Sequence, residues 1–291
     1  MVGSNYTTNI SIIIPVYNEE RRIMECLERS LNYCRKRRWD FEIIVAEDGS
    51  TDGTVRVVKY FHSIDSRIKL ISFKERLGKG SAIRSAALVA NKEYIGYMDV
   101  DLSADISEFD RLMEFMENSD LVVGSRILRG NLAPVHRPLY RSFFSYVYSK
   151  FFRTLFRLEI YDPQCGFKLF RKDIIPVLFK EIKTTGFAFD SELVVKAFSL
   201  GLRVKEIPII WDHHVASKIS VLRHMREMER DLLSIWYEAH MLWLQNGRVY
   251  PQKEGSVKAR LLFSILSVSK KPRSEAPAQS FIHEEHISVD K

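Results

Sequence analysis

Asp99 and Asp101 are the residues of this sequence whose type and spacing best suit metal-assisted chemistry. They follow the apolar segment 94–98, which is predicted to be a buried β-strand. Alternate side chains of an extended segment point the same way, so both carboxylates would face one divalent cation. Oxygen ligands of this kind suit Mg²⁺ or Mn²⁺. A solvated turn is the plain alternative, and the position at a strand end favours the metal hypothesis.

Two more polar segments come at the ends of apolar ones. They are Tyr17-Asn18-Glu19 after segment 10–16 and Glu47-Asp48 after segment 41–46. Asp48 stands at the strand tip and is a ligand candidate, whereas the Ser, Asp and Gly residues of segment 50–53 suit a turn and a helix cap. In open α/β sheets, ligands bind at the carboxyl ends of the strands, so these acidic tips predict a crevice there.

Lys79 lies between Gly78 and Gly80, just before a predicted helix. Glycines and a lysine at a helix start can hold a phosphate group. The spacing matches neither the G-x-x-x-x-G-K-[ST] loop nor the G-x-G-x-x-G fingerprint, so neither of those nucleotide folds is indicated. A simple turn is the alternative interpretation of these residues.

Asp190 and Glu192 occur where another predicted helix opens. Each could act as a general base, or could stabilise the helix by capping it and by facing its dipole. The pair His213-His214 suggests a metal site, but adjacent side chains on an extended segment point apart. We therefore expect no metal role for these histidines.

Strands and helices are predicted to alternate along the chain. The predicted strands are 10–16, 41–46, 68–73, 94–98, 121–123, 165–170 and 204–210, and the predicted helices are 19–36, 51–61, 81–91, 106–116, 173–181, 192–200 and 219–245. This alternation predicts an α/β fold with a mostly parallel sheet flanked by helices. The carboxyl ends of its strands would collect the polar tips at one edge.

The positive charge of the chain is concentrated in its middle. Residues 126–171 carry nine Lys and Arg residues against two Asp and Glu, which equals the net charge of +7 of the whole chain. Such a segment is typical of contact with something anionic: a nucleic acid, a lipid headgroup or a phosphorylated substrate.

Segment 139–160 of this basic region is rich in aromatic residues and is predicted to be an amphipathic helix. A helical wheel puts Lys150, Arg153 and Arg157 on one side and Phe144, Tyr148, Phe151, Phe152 and Leu155 on the other. The pattern resembles a helix that lies in a membrane interface. A core helix with a solvated basic edge is the alternative.

Composition excludes several classes of protein. The 291 residues contain 46% hydrophobic residues, which is enough for a large folded core. The three cysteines form no C-x-x-C pair, which excludes a disulfide scaffold and a thiolate zinc site and fits a reducing compartment. The sequence has no run of 18 apolar residues and no signal-peptide pattern, so we expect neither a transmembrane helix nor secretion.

Three regions are predicted from these patterns. Residues 1–216 would form the catalytic domain and would include the interfacial helix at about 139–158. Residues 217–269 would form a C-terminal region of amphipathic helices near a membrane, with a short candidate helix at 258–268. Residues 270–291 are rich in Lys, Pro, Ser and Glu and are predicted to be a disordered tail.

Read together, these motifs resemble the family 2 glycosyltransferases with a GT-A fold. The motifs in the first half, in family order, are Ile-Pro-Val-Tyr-Asn-Glu-Glu (14–20), Glu-Asp-Gly-Ser-Thr-Asp-Gly-Thr (47–54), Gly-Lys-Gly (78–80) and Asp-Val-Asp (99–101). Those in the second half are Gly-Ser-Arg (124–126), Asp-Pro-Gln-Cys-Gly-Phe-Lys-Leu-Phe (162–170), Phe-Ala-Phe-Asp-Ser-Glu-Leu (187–193) and Trp-Asp-His-His-Val-Ala-Ser-Lys (211–218). The second set resembles dolichyl-phosphate glucosyltransferases, with dolichyl-phosphate mannose synthases as close relatives.

The resemblance implies a role for each matching residue. The set for the donor nucleotide is Pro15, Tyr17, Asn18, Glu19, Asp48, Lys79 and Asp99; the set for the metal is Asp99 and Asp101; and the set for the acceptor phosphate is Arg126, Arg141, Ser145 and Lys218. Asp190 matches the position usually given to the catalytic base, and Asp101 joins it in the catalytic set. The metal would be Mg²⁺ or Mn²⁺.

The implied reaction is the inverting transfer of a hexose from a nucleotide-diphosphate sugar to dolichyl or polyprenyl phosphate. Glucose from UDP-glucose is favoured. One alternative is the transfer of mannose from GDP-mannose, and another is transfer to a glycan or lipid-diphosphate acceptor. A nucleotidyltransferase is disfavoured because segment 17–20 is acidic, and a nucleic-acid partner is not expected.

The enzyme would attach peripherally to the cytoplasmic face of a membrane. An acceptor phosphate that is already ionised needs positioning more than deprotonation, so we expect Asp190 to contribute less than a general base.

Overall fold

The computed structural model describes residues 8–128, 139–186, 188–212 and 230–241, and for residues 139–144 it describes the backbone alone. A seven-stranded sheet forms the centre of this part of the chain. In chain order its strands are β1 (Asn9–Val16), β2 (Asp40–Glu47), β3 (Ile68–Ser72), β4 (Tyr94–Tyr97), β5 (Leu121–Ser125), β6 (Lys168–Arg171) and β7 (Val204–Pro208).

The strand order in the sheet is β3-β2-β1-β4-β6-β5-β7. The pairs β1–β2, β2–β3, β1–β4 and β5–β7 are parallel. Strand β6 runs antiparallel to both of its neighbours, β4 and β5. The predicted α/β class with a mostly parallel sheet is therefore confirmed, and β6 is its reversed strand.

Helices cover both faces of the sheet. They are α1 (Glu20–Lys36), α2 (Thr54–Ile64), α3 (Lys79–Val89), α4 (Glu108–Met113), α5 (Leu139–Phe156), α6 (Ile175–Lys180) and α7 (Phe189–Ser199), and residues 230–241 are also helical. Alternate side chains of β1 pack into two separate cores, one on each face of the sheet. Ile12 and Ile14 lie in the core that contains residues of α1 and α2, and Ile13 lies in the core that contains residues of α3 and α7.

Two local predictions near the strand ends were wrong. Strand β4 ends at Tyr97, and Val100 and Asp101 lie in a turn rather than in an extended segment. Leu102 follows with φ of 54°, a left-handed conformation that is uncommon for a residue other than glycine. Helix α3 begins at Lys79, so Lys79 is its first residue and does not precede it.

Helix α5 is amphipathic, but its faces differ from the predicted ones. Phe152 and Phe156 are fully buried, and Phe151 is exposed on the same side as Lys150. The predicted aromatic side and basic side are therefore not separate surfaces. The reason is that the side chains of a helix that face a core recur every three to four residues. Phe151, adjacent to the buried Phe152, therefore lies outside that apolar stripe.

Within the ranges described above, no helix is both long enough and apolar enough to cross a membrane. Lys218, the pair His213-His214, the candidate helix 258–268 and the predicted tail 270–291 lie outside the described residues. Of the predicted helix 219–245, residues 230–241 are described and are helical.

Candidate active site

The candidate site lies at the edge of the sheet where β1, β2 and β4 end. Parallel strands bring their carboxyl ends to one edge, which places segments 17–19, 47–48 and 99–101 side by side. Because β6 is antiparallel, its first residue, Lys168, lies at this same edge opposite Tyr97. The sheet therefore brings together motifs that are up to 150 residues apart in the sequence.

Lys79, predicted to bind the donor, contacts the carboxylate of Asp99 in the predicted metal motif and also approaches Asp190. Its Nζ atom lies 2.8 Å from Asp99 Oδ1 and 3.6 Å from Asp190 Oδ2. Burial alone would lower the pKa of Lys79, but the charges of Asp99 and Asp190 outweigh it and raise that pKa. The lysine is thus held as a cation between two carboxylates, with about a quarter of its side chain exposed.

Asp190 is a buried carboxylate in a network of donors. Lys168 Nζ donates a hydrogen bond of 2.6 Å to its Oδ1, and the Tyr97 hydroxyl donates to the same oxygen. Burial by itself would raise the pKa of Asp190, but the charges of Lys168 and Lys79 and these hydrogen bonds lower it below its ordinary value. Asp190 is therefore a weak proton acceptor in this structure.

Asp99 and Asp101 differ in their contacts. Asp99 packs against the backbone of Gly166, since a Cβ atom at position 166 would lie 2.1 Å from Asp99 Oδ2. Asp101 accepts a hydrogen bond of 3.0 Å from the backbone nitrogen of Ser103. Both carboxylates remain partly exposed.

Carboxylate oxygens such as those of Asp99 and Asp101 are the ligand type that a hard divalent cation takes. The part of the chain that the structure describes contains no cluster of three or more His, Cys, Asp and Glu residues arranged to hold a metal. Magnesium-type sites commonly use one or two carboxylates together with substrate phosphates and water.

The turn after β2 holds the segment after β1. The backbone nitrogen of Asn18 donates to Ser50 Oγ at 2.9 Å, and Asn18 Oδ1 accepts from the backbone nitrogen of Thr51 at 2.8 Å. Asn18 has φ of 53°, a left-handed conformation that asparagine tolerates better than most residues. The polar tips of β1 and β2 therefore form one rigid unit.

Asp48 and Tyr17 both contact the loop before α3. Asp48 is buried and accepts hydrogen bonds from the backbone nitrogens of Leu77 and Gly78, at 2.7 and 3.0 Å from its Oδ1. The guanidinium of Arg76 lies 4.1 Å from the centre of the Tyr17 ring. The loop that leads into α3 and Lys79 is thus held against the predicted nucleotide side of the crevice.

Glu19 and Pro15 make contacts that support the fold. Glu19 precedes α1, accepts backbone hydrogen bonds from Arg22 and Ile23, and forms an ion pair with the side chain of Arg22 at 3.3 Å. Pro15 lies within β1 opposite Ala46 of β2. Their predicted contact with the donor nucleotide stays a prediction.

Arg126, the predicted acceptor-side arginine, is bound to Asp162. Two guanidinium nitrogens and the backbone nitrogen of Arg126 donate to the Asp162 carboxylate at 2.7 to 2.8 Å. Burial would lower the pKa of Arg126, and the Asp162 charge overcomes this and raises it. The guanidinium also lies 5.1 Å from the centre of the Trp211 ring. Arg126 is therefore a fixed positive charge near Lys79 and Asp99.

The other predicted acceptor residues are only partly visible. Ser145 is half-buried on α5, and Arg141 precedes it by one helical turn with a side chain that is not described. Tyr148, one turn further on, forms a hydrogen bond of 2.7 Å between its hydroxyl and Ser191 Oγ, next to Asp190. Helix α5 thus reaches the crevice at Tyr148. Lys218 lies outside the described residues.

Sequence reasoning missed four residues of this site: Tyr97, Lys168, Asp162 and Arg76. The available signal was the position of Lys168, a lysine inside the apolar run Phe167–Phe170. A charged residue at such a position must be paired when it is buried. Glu192, in contrast, accepts hydrogen bonds from the backbone nitrogens of Lys183 and Thr184 and so holds the loop before α7. The capping alternative was wrong for this residue, since among the described residues α7 has no side-chain hydrogen bond at its N-cap.

Comparison with known proteins identifies the family. The family model "Glycosyl transferase family 2" matches residues 11–179. The chain is 34% identical over 237 residues to a dolichyl-phosphate beta-glucosyltransferase of Trichomonas vaginalis, covering 78% of this chain and 72% of that protein. It is 29% identical to the dolichyl-phosphate beta-glucosyltransferase of Saccharomyces cerevisiae, covering 78% and 73%.

A longer relative also matches. Glycosyltransferase AglD of Haloferax volcanii is 29% identical over 269 residues, which are 89% of this chain and 41% of AglD. This chain therefore spans less than half the length of that relative.

Solved structures share the fold at lower identity. Glucosyl-3-phosphoglycerate synthase of Mycobacterium tuberculosis, in complex with Mn²⁺, UDP and phosphoglyceric acid, superposes with a TM-score of 0.59 at 18% identity over 80% of this chain and 78% of that one. Mannosyl-3-phosphoglycerate synthase of Rubrobacter xylanophilus gives a TM-score of 0.58 at 15% identity over 86% and 78%. With its fold and its family match, this chain belongs to the family 2 glycosyltransferases and has the GT-A fold.

Proposed function

We propose that this glycosyltransferase moves glucose from UDP-glucose to dolichyl phosphate or a polyprenyl phosphate with the same headgroup. The observation that carries the proposal is the position of Lys79 between Asp99 and Asp190, with the fixed charge of Arg126 nearby. In this proposal Lys79 and Arg126 donate to the phosphate groups of the two substrates, and Asp99 and Asp101 offer oxygen ligands to a divalent cation. The names of the relatives point to glucose and to dolichyl phosphate.

The donor would lie across the tips of β1, β2 and β4. In this arrangement Tyr17, Asn18 and Asp48 face the nucleoside, and Lys79 donates to the diphosphate. Asp99 and Asp101 would hold a divalent cation, Mg²⁺ or Mn²⁺, which would supply Lewis-acid stabilisation of the negative charge on the leaving diphosphate. Mn²⁺ and UDP occur together in the structural neighbour from Mycobacterium tuberculosis, which supports this use of the site.

The acceptor would enter from the side of α5 and Arg126. A phosphate oxygen of the acceptor attacks the anomeric carbon, the bond from that carbon to the diphosphate oxygen breaks, and UDP leaves with the bonding electrons. Attack from the face opposite the leaving group inverts the anomeric centre. Because the acceptor monophosphate is already largely dianionic at pH 7, Arg126, Arg141, Ser145 and Lys218 would position it and no proton needs to be removed.

A membrane-facing surface would bring the enzyme to its lipid. On α5, Tyr146, Val147 and Phe151 are exposed beside Lys150. The helix at 230–241 exposes Leu233, Tyr237 and Met241 at intervals of four residues, and its other side is buried. Aromatic and apolar side chains with adjacent lysine suit peripheral attachment to an anionic bilayer. We place this attachment on the cytoplasmic face.

A donor panel tests the proposal. The purified full chain is incubated with dolichyl phosphate in detergent, Mg²⁺ or Mn²⁺, and labelled UDP-glucose, UDP-galactose, UDP-N-acetylglucosamine or GDP-mannose, and label entering the organic phase is counted. We expect metal-dependent transfer from UDP-glucose, and no transfer by the Asp101→Asn variant. Transfer from GDP-mannose alone, or no lipid-soluble product from any donor, would overturn the proposal.

A further inference from the structure

Lys168 is a fully buried lysine in the candidate site to which neither the motifs nor the comparisons give a role. An ammonium group has three donors, and each has a partner here: the backbone oxygen of Pro163 at 3.1 Å, that of Cys165 at 2.7 Å and Asp190 Oδ1 at 2.6 Å. A buried charge is tolerated when it is paired and hydrogen-bonded in this way. The chain therefore keeps a paired charge buried at the edge of the sheet where the candidate site lies.

The contacts of Lys168 lead to Lys79 through a single residue. Asp190 receives Lys168 on Oδ1, and its other oxygen, Oδ2, lies 3.6 Å from Lys79 Nζ. Tyr97, the register partner of Lys168 in the sheet, donates to the same oxygen as Lys168. Two donors thus fix the Asp190 carboxylate through Oδ1, and its other oxygen, Oδ2, faces Lys79.

Lys79 has a second partner, which is closer but more exposed. Its nearer carboxylate, Asp99, has about a third of its side chain exposed, whereas Asp190 has only 5% exposed. The buried carboxylate is the more rigid of the two. Asp190 can therefore keep the Lys79 ammonium in the crevice when an incoming diphosphate competes for it.

We propose that Lys168 is a positioning residue that orients Lys79 toward the donor diphosphate by fixing Asp190. The proposal rests on the proposed function, because it assigns Lys79 to the donor. In it, Asp190 is the link between two lysines, and Lys168 never touches a substrate.

The test measures binding of UDP in the presence of Mn²⁺ to the full chain by titration calorimetry. Lys168→Met removes the charge and keeps a long apolar side chain. We expect this variant to bind UDP about five- to tenfold more weakly, because Asp190 loses one of the two donors that fix it and so holds Lys79 less firmly. In a Lys79→Met background, the same Lys168→Met substitution should change the Kd less than twofold. An equal loss in both backgrounds would overturn the proposal, since it would show that Lys168 acts through general structure.

The double variant Lys168→Met/Asp190→Asn removes both buried charges together. It therefore leaves no unpaired buried charge between these two residues that could unfold the protein. We expect its Kd for UDP to match that of Asp190→Asn alone within twofold. A further loss of tenfold in the double variant would contradict a path through Asp190.

Lys69→Met is the matched control. Lys69 also pairs with a buried carboxylate, Glu42, but it lies near the start of β3, away from the crevice. It should leave the Kd for UDP unchanged, and an equal effect of Lys69→Met would also overturn the proposal. Wild-type protein that binds UDP but fails to glucosylate dolichyl phosphate would contradict the proposed function and leave the binding cycle interpretable.

Discussion

Lys79 Nζ lies 2.8 Å from Asp99 Oδ1, so the first residue of α3 contacts the first aspartate of the predicted metal motif. Gly78 makes this contact possible. Its φ of 100° suits glycine, and a Cβ atom there would lie 2.5 Å from the backbone oxygen of Thr185. The glycine before Lys79 thus lets the loop turn tightly into the helix beside the site.

We predict that Lys79→Met weakens UDP binding by about 10- to 100-fold. A hydrogen bond to a charged group contributes about 1.5–3 kcal/mol, and each 1.4 kcal/mol is tenfold in affinity. Titration calorimetry with UDP and Mn²⁺ measures the effect. Lys92→Met is the control, since Lys92 pairs with Asp40 at the opposite end of the sheet. Unchanged affinity in Lys79→Met would remove Lys79 from the donor site.

Gly166→Ala should lower transferase activity about tenfold or more while the melting temperature stays close to that of the wild type. The added methyl would lie 2.1 Å from Asp99 Oδ2, and the carboxylate must move to accommodate it. A displacement of about 1 Å near the chemistry can cost about 10²-fold in rate. Gly186→Ala is the matched control, because a Cβ atom there meets nothing within 4 Å. Full activity in Gly166→Ala would show that the position of Asp99 is unimportant.

Asp190→Asn should reduce kcat by less than about 10²-fold. A general base contributes about 10²- to 10⁴-fold, and the lowered pKa of Asp190, held down against burial by Lys168 and Lys79, makes it a poor proton acceptor. The loss should occur mainly in KM for the donor. Steady-state kinetics on a variant with wild-type circular dichroism measures both constants. A loss of kcat well above 10²-fold would restore Asp190 as a base.

Phe151→Ser and Tyr237→Ser should each weaken binding to phosphatidylserine-containing liposomes about tenfold. Each substitution removes an exposed aromatic ring, and burying such a ring contributes about 1.5–3 kcal/mol. Liposome flotation measures the effect. Tyr60→Ser is the control, because Tyr60 is as exposed as Tyr237 and lies on α2, over the other face of the sheet. Equal loss in all three variants would exclude a specific membrane surface.

Asp65 should contribute to stability at neutral pH but not in strong acid. The hydrogen bond from Arg67 is the main cause that lowers the pKa of Asp65, and it outweighs burial. A group whose pKa is lower when folded stabilises the fold above its unfolded pKa, about 3.9, and loses this effect as pH falls toward the folded value. Urea unfolding should show Asp65→Asn clearly destabilised at pH 7 and less so at pH 3. An Asp65→Asn effect that stays constant between pH 7 and pH 3 would contradict the assignment.

The sequence predicted the sheet well because its central strands are apolar runs that end in polar tips. It did not show the direction of β6, since a short apolar run has no periodicity that distinguishes parallel from antiparallel pairing. That direction matters, because it brings Lys168 to the crevice edge beside Tyr97. Pairing between strands far apart in the chain is a tertiary property.

The candidate site was predicted by residue type and not by contact. Asp99, Asp190 and Lys79 were each proposed separately, and their contacts appear only when α3, α7 and β4 are assembled. The turn at Asp101 and the left-handed Leu102 were not foreseen, because leucine rarely adopts that conformation. The exposure of Phe151 likewise depends on which face of α5 its neighbours cover.

The acceptor is the central claim, and a competition between two phosphate acceptors tests it most directly. Labelled UDP-glucose is supplied with Mn²⁺, dolichyl phosphate in liposomes and an equal concentration of 3-phosphoglycerate, the acceptor type named for the structural neighbours. We predict that the label enters the lipid phase and that the product is the inverted glucosyl phosphate. Label found only in water-soluble glucosyl-3-phosphoglycerate would contradict the account.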